Sequence, residues 1–198
     1  MNQAESKEIW PPHQAFYIQS MLFNAASAMR SVAQINSLMT VVRENSPENP
    51  YAVLYGGRFL SEFQNLIVHA AALSRYFWPV KEGHRWRGAQ LRQAFQMADD
   101  SPLLARGLRN GFEHFDEQLD DYLKDGIVGH ILPEYIGPFD EPSGVAVHLF
   151  RAYYVDTATF QLLGNLYEIQ PIVKEVARLH EWLQKMDKSG GMFGREVV

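Results

Sequence analysis

The sequence contains no cysteine and no long apolar run. The absence of cysteine excludes disulfides, thiolate metal sites and a cysteine nucleophile, and it favours an intracellular setting. No run approaches the roughly 18 apolar residues that a membrane-spanning helix needs, and residues 1–10 (MNQAESKEIW) lack the basic and apolar pattern of a signal peptide. We therefore expect a cytoplasmic protein that is neither secreted nor inserted in a membrane.

Motifs that hold metals or nucleotides are also missing. The seven histidines never form an HExxH pair, an HxxxH pair or the Glu-x-x-His pairs of a carboxylate-bridged di-iron bundle. The pair Gly56-Gly57 lacks the lysine and the preceding strand of a phosphate-binding loop. We expect neither a metal site nor a cofactor.

Length and charge limit the remaining classes. A chain of 198 residues with 46% hydrophobic content can bury a sizeable core, and its length suits one domain covering residues 1–198. The net charge of −5 argues against a protein that coats nucleic acid by bulk electrostatics. Residues 75–109 nevertheless carry seven basic and three acidic side chains. This stretch is either a local anion-binding face or a set of scattered, solvated charges.

The first part of the chain has the apolar spacing of helices. Apolar residues recur at steps of three and four from Pro11 to about Arg43, and again in a second segment that stops near Pro79. The polar, proline-containing residues 45–50 separate these two long helices, which predicts an antiparallel hairpin. A shorter helix is expected from Trp86 to Ala98. A fourth, over residues 103–125, follows a capping sequence at Asp99-Asp100-Ser101-Pro102.

The pattern changes after Gly126. Residues 126–144 are rich in glycine and proline and indicate loops or short extended segments. Residues 147–155, 159–163 and 166–169 predict a small antiparallel meander with a turn at Gly164-Asn165. A last helix is expected from Pro171 to Met186, and residues 188–198 are expected to be a flexible tail. The predicted fold is mainly α, with a helical bundle over residues 11–125 and a meander plus helix over residues 126–187.

The predicted fourth helix contains the string RNGFEH, residues 109–114. On an ideal helix, one stripe is apolar and comprises Leu104, Leu108, Phe112, Phe115, Leu119 and Tyr122. The opposite column is polar and comprises Arg106, Asn110, His114, Glu117 and Asp121. The histidine is therefore expected to point away from the core, toward solvent, a cleft or another chain.

The residue types in this string suit phosphodiester chemistry. Histidine transfers protons near neutral pH, and arginine holds a phosphate with a planar fork of donors. Asn110 and His114 stand four residues apart and share a face, which Arg106 extends by one turn. Arg109 lies about 140° around the helix from His114, so the two diverge unless the helix starts late or a second motif completes the site. The alternative is a solvated Arg109–Glu113 pair and an idle histidine.

RNGFEH resembles the R-x4-H motif, with an asparagine after the arginine, of the HEPN superfamily of small helical bundles. The resemblance covers residues 11–125 and implies an antiparallel four-helix bundle. It further implies a metal-independent endoribonuclease that acts as a homodimer with facing motif helices, often as a toxin of a toxin–antitoxin or defence system. Arg109 would hold the scissile phosphate, His114 would act as acid or base in attack by the RNA 2′-hydroxyl, and Asn110 would orient the phosphate or the imidazole.

Other residues extend this hypothesis. Arg106 continues the polar column, and His84-Arg85-Trp86-Arg87 combines cations with an aromatic ring that can stack on a base. We therefore add Arg85, Arg87 and Arg106 as substrate-binding candidates, although for Trp86 itself a role as an anchor for the short helix is favoured over base stacking.

Two readings compete with a ribonuclease. Many HEPN proteins are inactive scaffolds, so the polar column can instead mediate dimerisation or engage a partner such as an antitoxin-like nucleotidyltransferase. The motif is a coincidence in an unrelated helical domain if the protein is a monomer with His114 in open solvent.

Overall fold

The computed structural model describes residues 7–44, 51–124, 126–139 and 146–193. These residues form six α-helices, one short 3-10 turn at Glu82–His84 and one four-stranded sheet. The helices are α1 (Pro11–Glu44), α2 (Tyr51–Phe77), α3 (Arg85–Ala94), α4 (Gly107–Glu113), α5 (Phe115–Leu123) and α6 (Gln170–Lys188). The strands are β1 (His130–Gly137), β2 (Val147–Tyr154), β3 (Thr159–Leu162) and β4 (Asn165–Glu168).

Helices α1 and α2 pair as an antiparallel hairpin, as the apolar spacing predicts. Asn24 near the start of α1 meets His69 near the end of α2, whereas Gln34 farther along α1 meets Arg58 near the start of α2. The apolar side predicted for α2 is buried throughout, at Leu60, Phe63, Ile67, Ala70, Leu73 and Phe77. The loop predicted over residues 45–50 lies outside the described residues.

Three short helices follow the hairpin, so the expected bundle of four helices by residue 125 is not confirmed. Helix α3 ends at Ala94, earlier than predicted, because Phe95 turns into the core against Phe77 and Gln96 adopts a positive φ of 46°. The predicted cap at Ser101 closes one turn only, since its hydroxyl accepts a hydrogen bond from the Leu103 amide at 3.4 Å. The next helix begins at Gly107.

The sheet has the order β1-β2-β3-β4 and is mixed. Strands β2, β3 and β4 pair antiparallel, but β1 runs parallel to β2, with His130 opposite Val147 and Gly137 opposite Tyr154. The three strands predicted as a meander pair antiparallel, but the sheet as a whole is not purely antiparallel, because the segment predicted as loops or short extended segments supplies a fourth strand that runs parallel to β2. Strand β1 contains Pro133, which has no amide hydrogen and is tolerated because β1 is an edge strand.

The β3–β4 turn lies one residue before its predicted place. Leu162 pairs with Asn165, so the two turn residues are Leu163 and Gly164, with φ of 45° and 82°. Two positive φ angles are the mark of a type I′ turn, which matches the twist of the strands it joins. Leu163 occupies the first turn position, where a positive φ usually favours glycine, and its side chain is buried.

Helix α6 packs along α1 with its C-terminal end beside the start of α1. The first part of the predicted tail also lies there, where the Phe193 amide donates to Gln14 Oε1 at 2.7 Å and the Phe193 ring contacts Phe95. A single buried cluster joins apolar residues of α1, α2, α3, α4, β2, β3 and α6. In the described ranges, no helix is long and apolar enough to cross a membrane.

Candidate active site

The segment that carries RNGFEH is two helices, and the single predicted helix over residues 103–125 is wrong. The backbone leaves helical geometry at His114, where φ is −121° and ψ is 38°, between the end of α4 and the start of α5. Hydrogen bonds still flank the break, from the His114 amide to the Asn110 carbonyl and from the Gln118 amide to the His114 carbonyl. The histidine therefore stands at a bend in the chain.

The face of this segment predicted to be apolar packs on the sheet. Phe112 contacts Phe160 of β3 with ring centres 5.5 Å apart, and the Tyr122 hydroxyl lies 2.9 Å from His148 Nδ1 on β2. A Cβ atom added to Gly111 would lie 2.6 Å from Leu162 Cδ2, so the glycine permits the close approach of α4 to β3. The C-terminal strands thus support the motif segment. Of the predicted stripe, Leu104 precedes the helix and is exposed.

The opposite side is open, as predicted. Arg106, Asn110, His114, Glu117 and Asp121 all have exposed side chains. His114 is 56% exposed, and its Nδ1 lies 3.5 Å from Glu117 Oε2. Since Nδ1 faces the carboxylate, Nε2 is the ring nitrogen on the far side of the imidazole. The bend thus presents an exposed histidine with Nδ1 near an acid.

Arg109 points the other way. Its side chain is 16% exposed and lies against α2, beside a cavity of about 20 Å³ that Ala71 and Ser74 help to line. Its Nε lies 3.4 Å from Glu113 Oε2, but the geometry is not that of a hydrogen bond, and this buried nitrogen has no hydrogen-bond partner in the described structure. Within a single protomer, Arg109 and His114 therefore lie on different sides of the segment. Arg109 instead forms the pair with Glu113 that the spacing also allows.

Arg75 is a neighbour of the motif that the sequence analysis did not single out. It stands in the last turn of α2, and its Nη2 lies 2.8 Å from Glu113 Oε1. Glu113 therefore bridges two arginines, one through each carboxylate oxygen. Arg75 belongs to the basic stretch noted in the sequence, but only the fold shows that it meets Glu113.

The three candidate substrate-binding arginines are not brought together on one surface patch by any contact in the described residues. Arg87 reaches back to α2, where its Nη2 donates to the Arg75 carbonyl at 3.1 Å, so it lies next to the bridged pair. Arg85 is exposed and 3.8 Å from Glu82, and Arg106 is exposed immediately before α4. Trp86 is half-buried against the core, which agrees with its role as an anchor.

Arg151 of β2 is a second cation near the motif that the sequence did not indicate. Its guanidinium lies 4.2 Å from the centre of the Phe115 ring, the residue directly after His114, and 3.9 Å from Glu134 on β1. A cation at this distance over an aromatic face is attracted by the ring. The sheet thus adds a positive charge beside the bend.

A separate polar groove lies on the α1–α2 hairpin. His69 Nδ1 is 3.3 Å from Asn24 Oδ1, and burial, followed by the charge of Arg30, lowers the pKa of His69 below its usual value. Arg58 and Glu62, which the spacing pairs with each other, lie on the same helix. Arg58 Nη2 instead donates to Gln34 at 3.3 Å, and Glu62 accepts from Asn65.

Within the described ranges, no three or more histidine, aspartate or glutamate residues are grouped so that they could hold a metal ion. Comparisons with models of known protein families, with curated proteins and with solved structures found no match.

Proposed function

We propose that this protein is a HEPN-like, metal-independent endoribonuclease that acts in the cytoplasm as a homodimer. The observation that carries the proposal is the exposed His114 at the bend between α4 and α5, with Asn110 exposed one turn earlier. An exposed imidazole near a carboxylate is suited to proton transfer. In this proposal, α1, α2, α3 and the motif segment α4–α5 correspond to the four helices of a HEPN bundle.

In this mechanism, His114 removes the proton from the RNA 2′-hydroxyl or donates one to the leaving 5′-oxygen. The hydroxyl oxygen attacks the adjacent phosphorus, and the P–O5′ bond breaks to leave a 2′,3′-cyclic phosphate and a 5′-hydroxyl. The Glu117 carboxylate lies beside the ring, with Oε2 3.5 Å from Nδ1. Asn110 is a donor to the phosphate or to the imidazole, and Arg109 stabilises the phosphate charge.

The divergence of Arg109 and His114 within one chain supports a composite site. If two motif segments face each other, a single phosphate can lie between the histidine of one protomer and the arginine of its partner. A toxin of a toxin–antitoxin or defence system, restrained by an antitoxin-like partner, is the biological role that fits such an enzyme.

The test is cleavage of mixed cellular RNA by the purified protein in excess chelator, with the dimer fraction recorded in parallel. Wild type should cleave, and His114→Ala should lower the rate by about 10²–10⁴-fold, the contribution typical of a general acid or base. His130→Ala, which removes an exposed histidine at the start of β1, is the matched control and should cleave at the wild-type rate. Absence of cleavage by wild type on any RNA would reject unassisted catalysis.

A specific observation favours a second candidate, a non-catalytic HEPN-like module for dimerisation or for binding a partner. Arg109, the expected phosphate ligand, is largely buried and engaged by Glu113. In such a module the exposed column would be an interface, so His114→Ala would abolish the dimer while leaving the monomer folded. The dimer fraction of His114→Ala, which is recorded alongside the cleavage assay, separates the two candidates.

A further inference from the structure

The two oxygens of the Glu113 carboxylate each face a different arginine. Oε1 lies 2.8 Å from Arg75 Nη2, and Oε2 lies 3.4 Å from Arg109 Nε. The two non-bridging oxygens of a phosphodiester carry one negative charge and can be bound in the same way, one oxygen to each guanidinium. Glu113 therefore occupies the position that a backbone phosphate of RNA would take.

We propose that Arg75 and Arg109 form a phosphodiester-binding site and that Glu113 is a built-in competitor which RNA must displace. The inference rests on the proposed function, since it adds a phosphate ligand, Arg75, and a restraint, Glu113, to that site. The proposal accounts for the burial of Arg109. The Glu113 carboxylate holds the Arg109 guanidinium in the position in which it would bind a phosphate.

Three features allow Glu113 to leave. Its side chain is 38% exposed and has room to turn toward solvent. Ion pairs at this exposure, here with an arginine that is 54% exposed, contribute little to stability, so a phosphate can replace them. Glu113 is also the last residue of α4, directly before the bend at His114, so its movement does not interrupt a helix. Displacing the carboxylate thereby rearranges the residue next to the proposed catalytic histidine.

The site retains positive charge while the glutamate is in place. Two guanidinium groups face one carboxylate. The Arg109 Nε–H is buried and lacks a hydrogen bond to Glu113, so a better-placed oxygen acceptor would gain an interaction there. A phosphate oxygen is such an acceptor.

The experiment measures the dissociation constant, Kd, of a short 2′-O-methyl RNA oligonucleotide, which has no free 2′-hydroxyl and so cannot be cleaved. Glu113→Gln should lower Kd by roughly three- to tenfold, because the arginines lose their internal anion and gain freedom to bind phosphate. Arg75→Ala should raise Kd, and adding it to Glu113→Gln should remove the gain. Asp120→Asn is the matched control, since it deletes one exposed negative charge from α5 outside the polar column.

Equal changes in Kd for Glu113→Gln and Asp120→Asn would overturn the proposal, because they would reduce the effect to net charge. If Glu113→Gln does not fold, Arg75→Ala is compared with Arg58→Ala, an arginine at the other end of α2, and equal losses of affinity reject the site. The outcomes for the two proposals are separable. If Glu113→Gln gains affinity but natural RNA is not cleaved, the phosphate site is retained and the ribonuclease is rejected. If cleavage depends on His114 but Glu113→Gln leaves Kd unchanged, the ribonuclease is retained and the phosphate site is rejected.

Discussion

The α1–α2 hairpin and the motif segment α4–α5 differ in what determines their structure. The hairpin consists of two uninterrupted helices of 34 and 27 residues, and in α2 the apolar spacing alone indicates the buried side. The motif helices have seven and nine residues and meet at a non-helical histidine. Besides their contacts with α2, they pack on Phe160, Leu162 and Arg151, about 40 residues farther along the chain. The comparison shows that the candidate site depends on distant parts of the sequence.

The largest expected effect comes from removing the support under the motif segment. Phe160 is fully buried and contacts Phe63 of α2 and Phe112 of α4. Phe160→Ala should lower the free energy of unfolding by about 3–5 kcal/mol, through lost burial and the cavity left behind. Denaturant unfolding measures the change. Phe16→Ala, which truncates an exposed ring on α1, should alter it by less than about 0.5 kcal/mol. Similar losses for both would mean that the sheet does not support the motif.

A smaller effect is expected from crowding the contact between α4 and β3. Gly111→Val inserts a branched side chain where a Cβ would already lie 2.6 Å from Leu162, which is itself fully buried. Overpacking of this kind should cost about 1–3 kcal/mol of unfolding free energy. Gly111→Val should also displace the backbone next to Asn110 and slow the proposed cleavage of RNA. Gly83→Val, at a glycine with open space around it, is the control. Equal stability of the two variants would contradict the close approach.

The smallest expected effect concerns pH and the hairpin. Because the pKa of His69 is lowered in the folded state, the unfolded chain takes up a proton there at a higher pH than the folded protein does. Stability from this group is complete above the unfolded pKa of 6.5 and is lost as the pH falls below it. The melting temperature of wild type should therefore fall relative to His69→Gln between about pH 7.5 and about pH 5. A constant difference between the two proteins would contradict this expectation, and His13→Gln, at an exposed histidine, is the control.

The features that the sequence predicts correctly are those set by local spacing. The hairpin helices, the buried side of α2, strands β2 to β4 and the exposure of the polar column follow from periods of 3.6 and 2 residues. The Arg109–Glu113 pair that the i, i+4 spacing allows is present, but it is not the solvated pair predicted, since the Arg109 side chain is only 16% exposed.

The features that the sequence does not predict are set by tertiary contacts. The bend at His114 accompanies packing on the sheet, and no spacing rule indicates that Arg75 meets Glu113 across 38 residues. Strand β1 was missed because it contains Pro133 and pairs in parallel with β2 after a connection of only residues 138–146. Parallel neighbours normally need a crossover of a dozen residues or more, so nothing in a short, proline-rich segment favours that pairing.

The position of α6 beside α1 has a consequence for how the chain folds during synthesis. The contact between Gln14 and Phe193 spans 179 residues, so the side of α1 that α6 covers waits until nearly the whole described chain has left the ribosome. Closing so long a loop is slow in entropic terms, and the apolar side of α1 stays exposed in the meantime. The α1–α2 hairpin, whose helices are neighbours in sequence, can form long before that and cover the side of α1 that packs on α2.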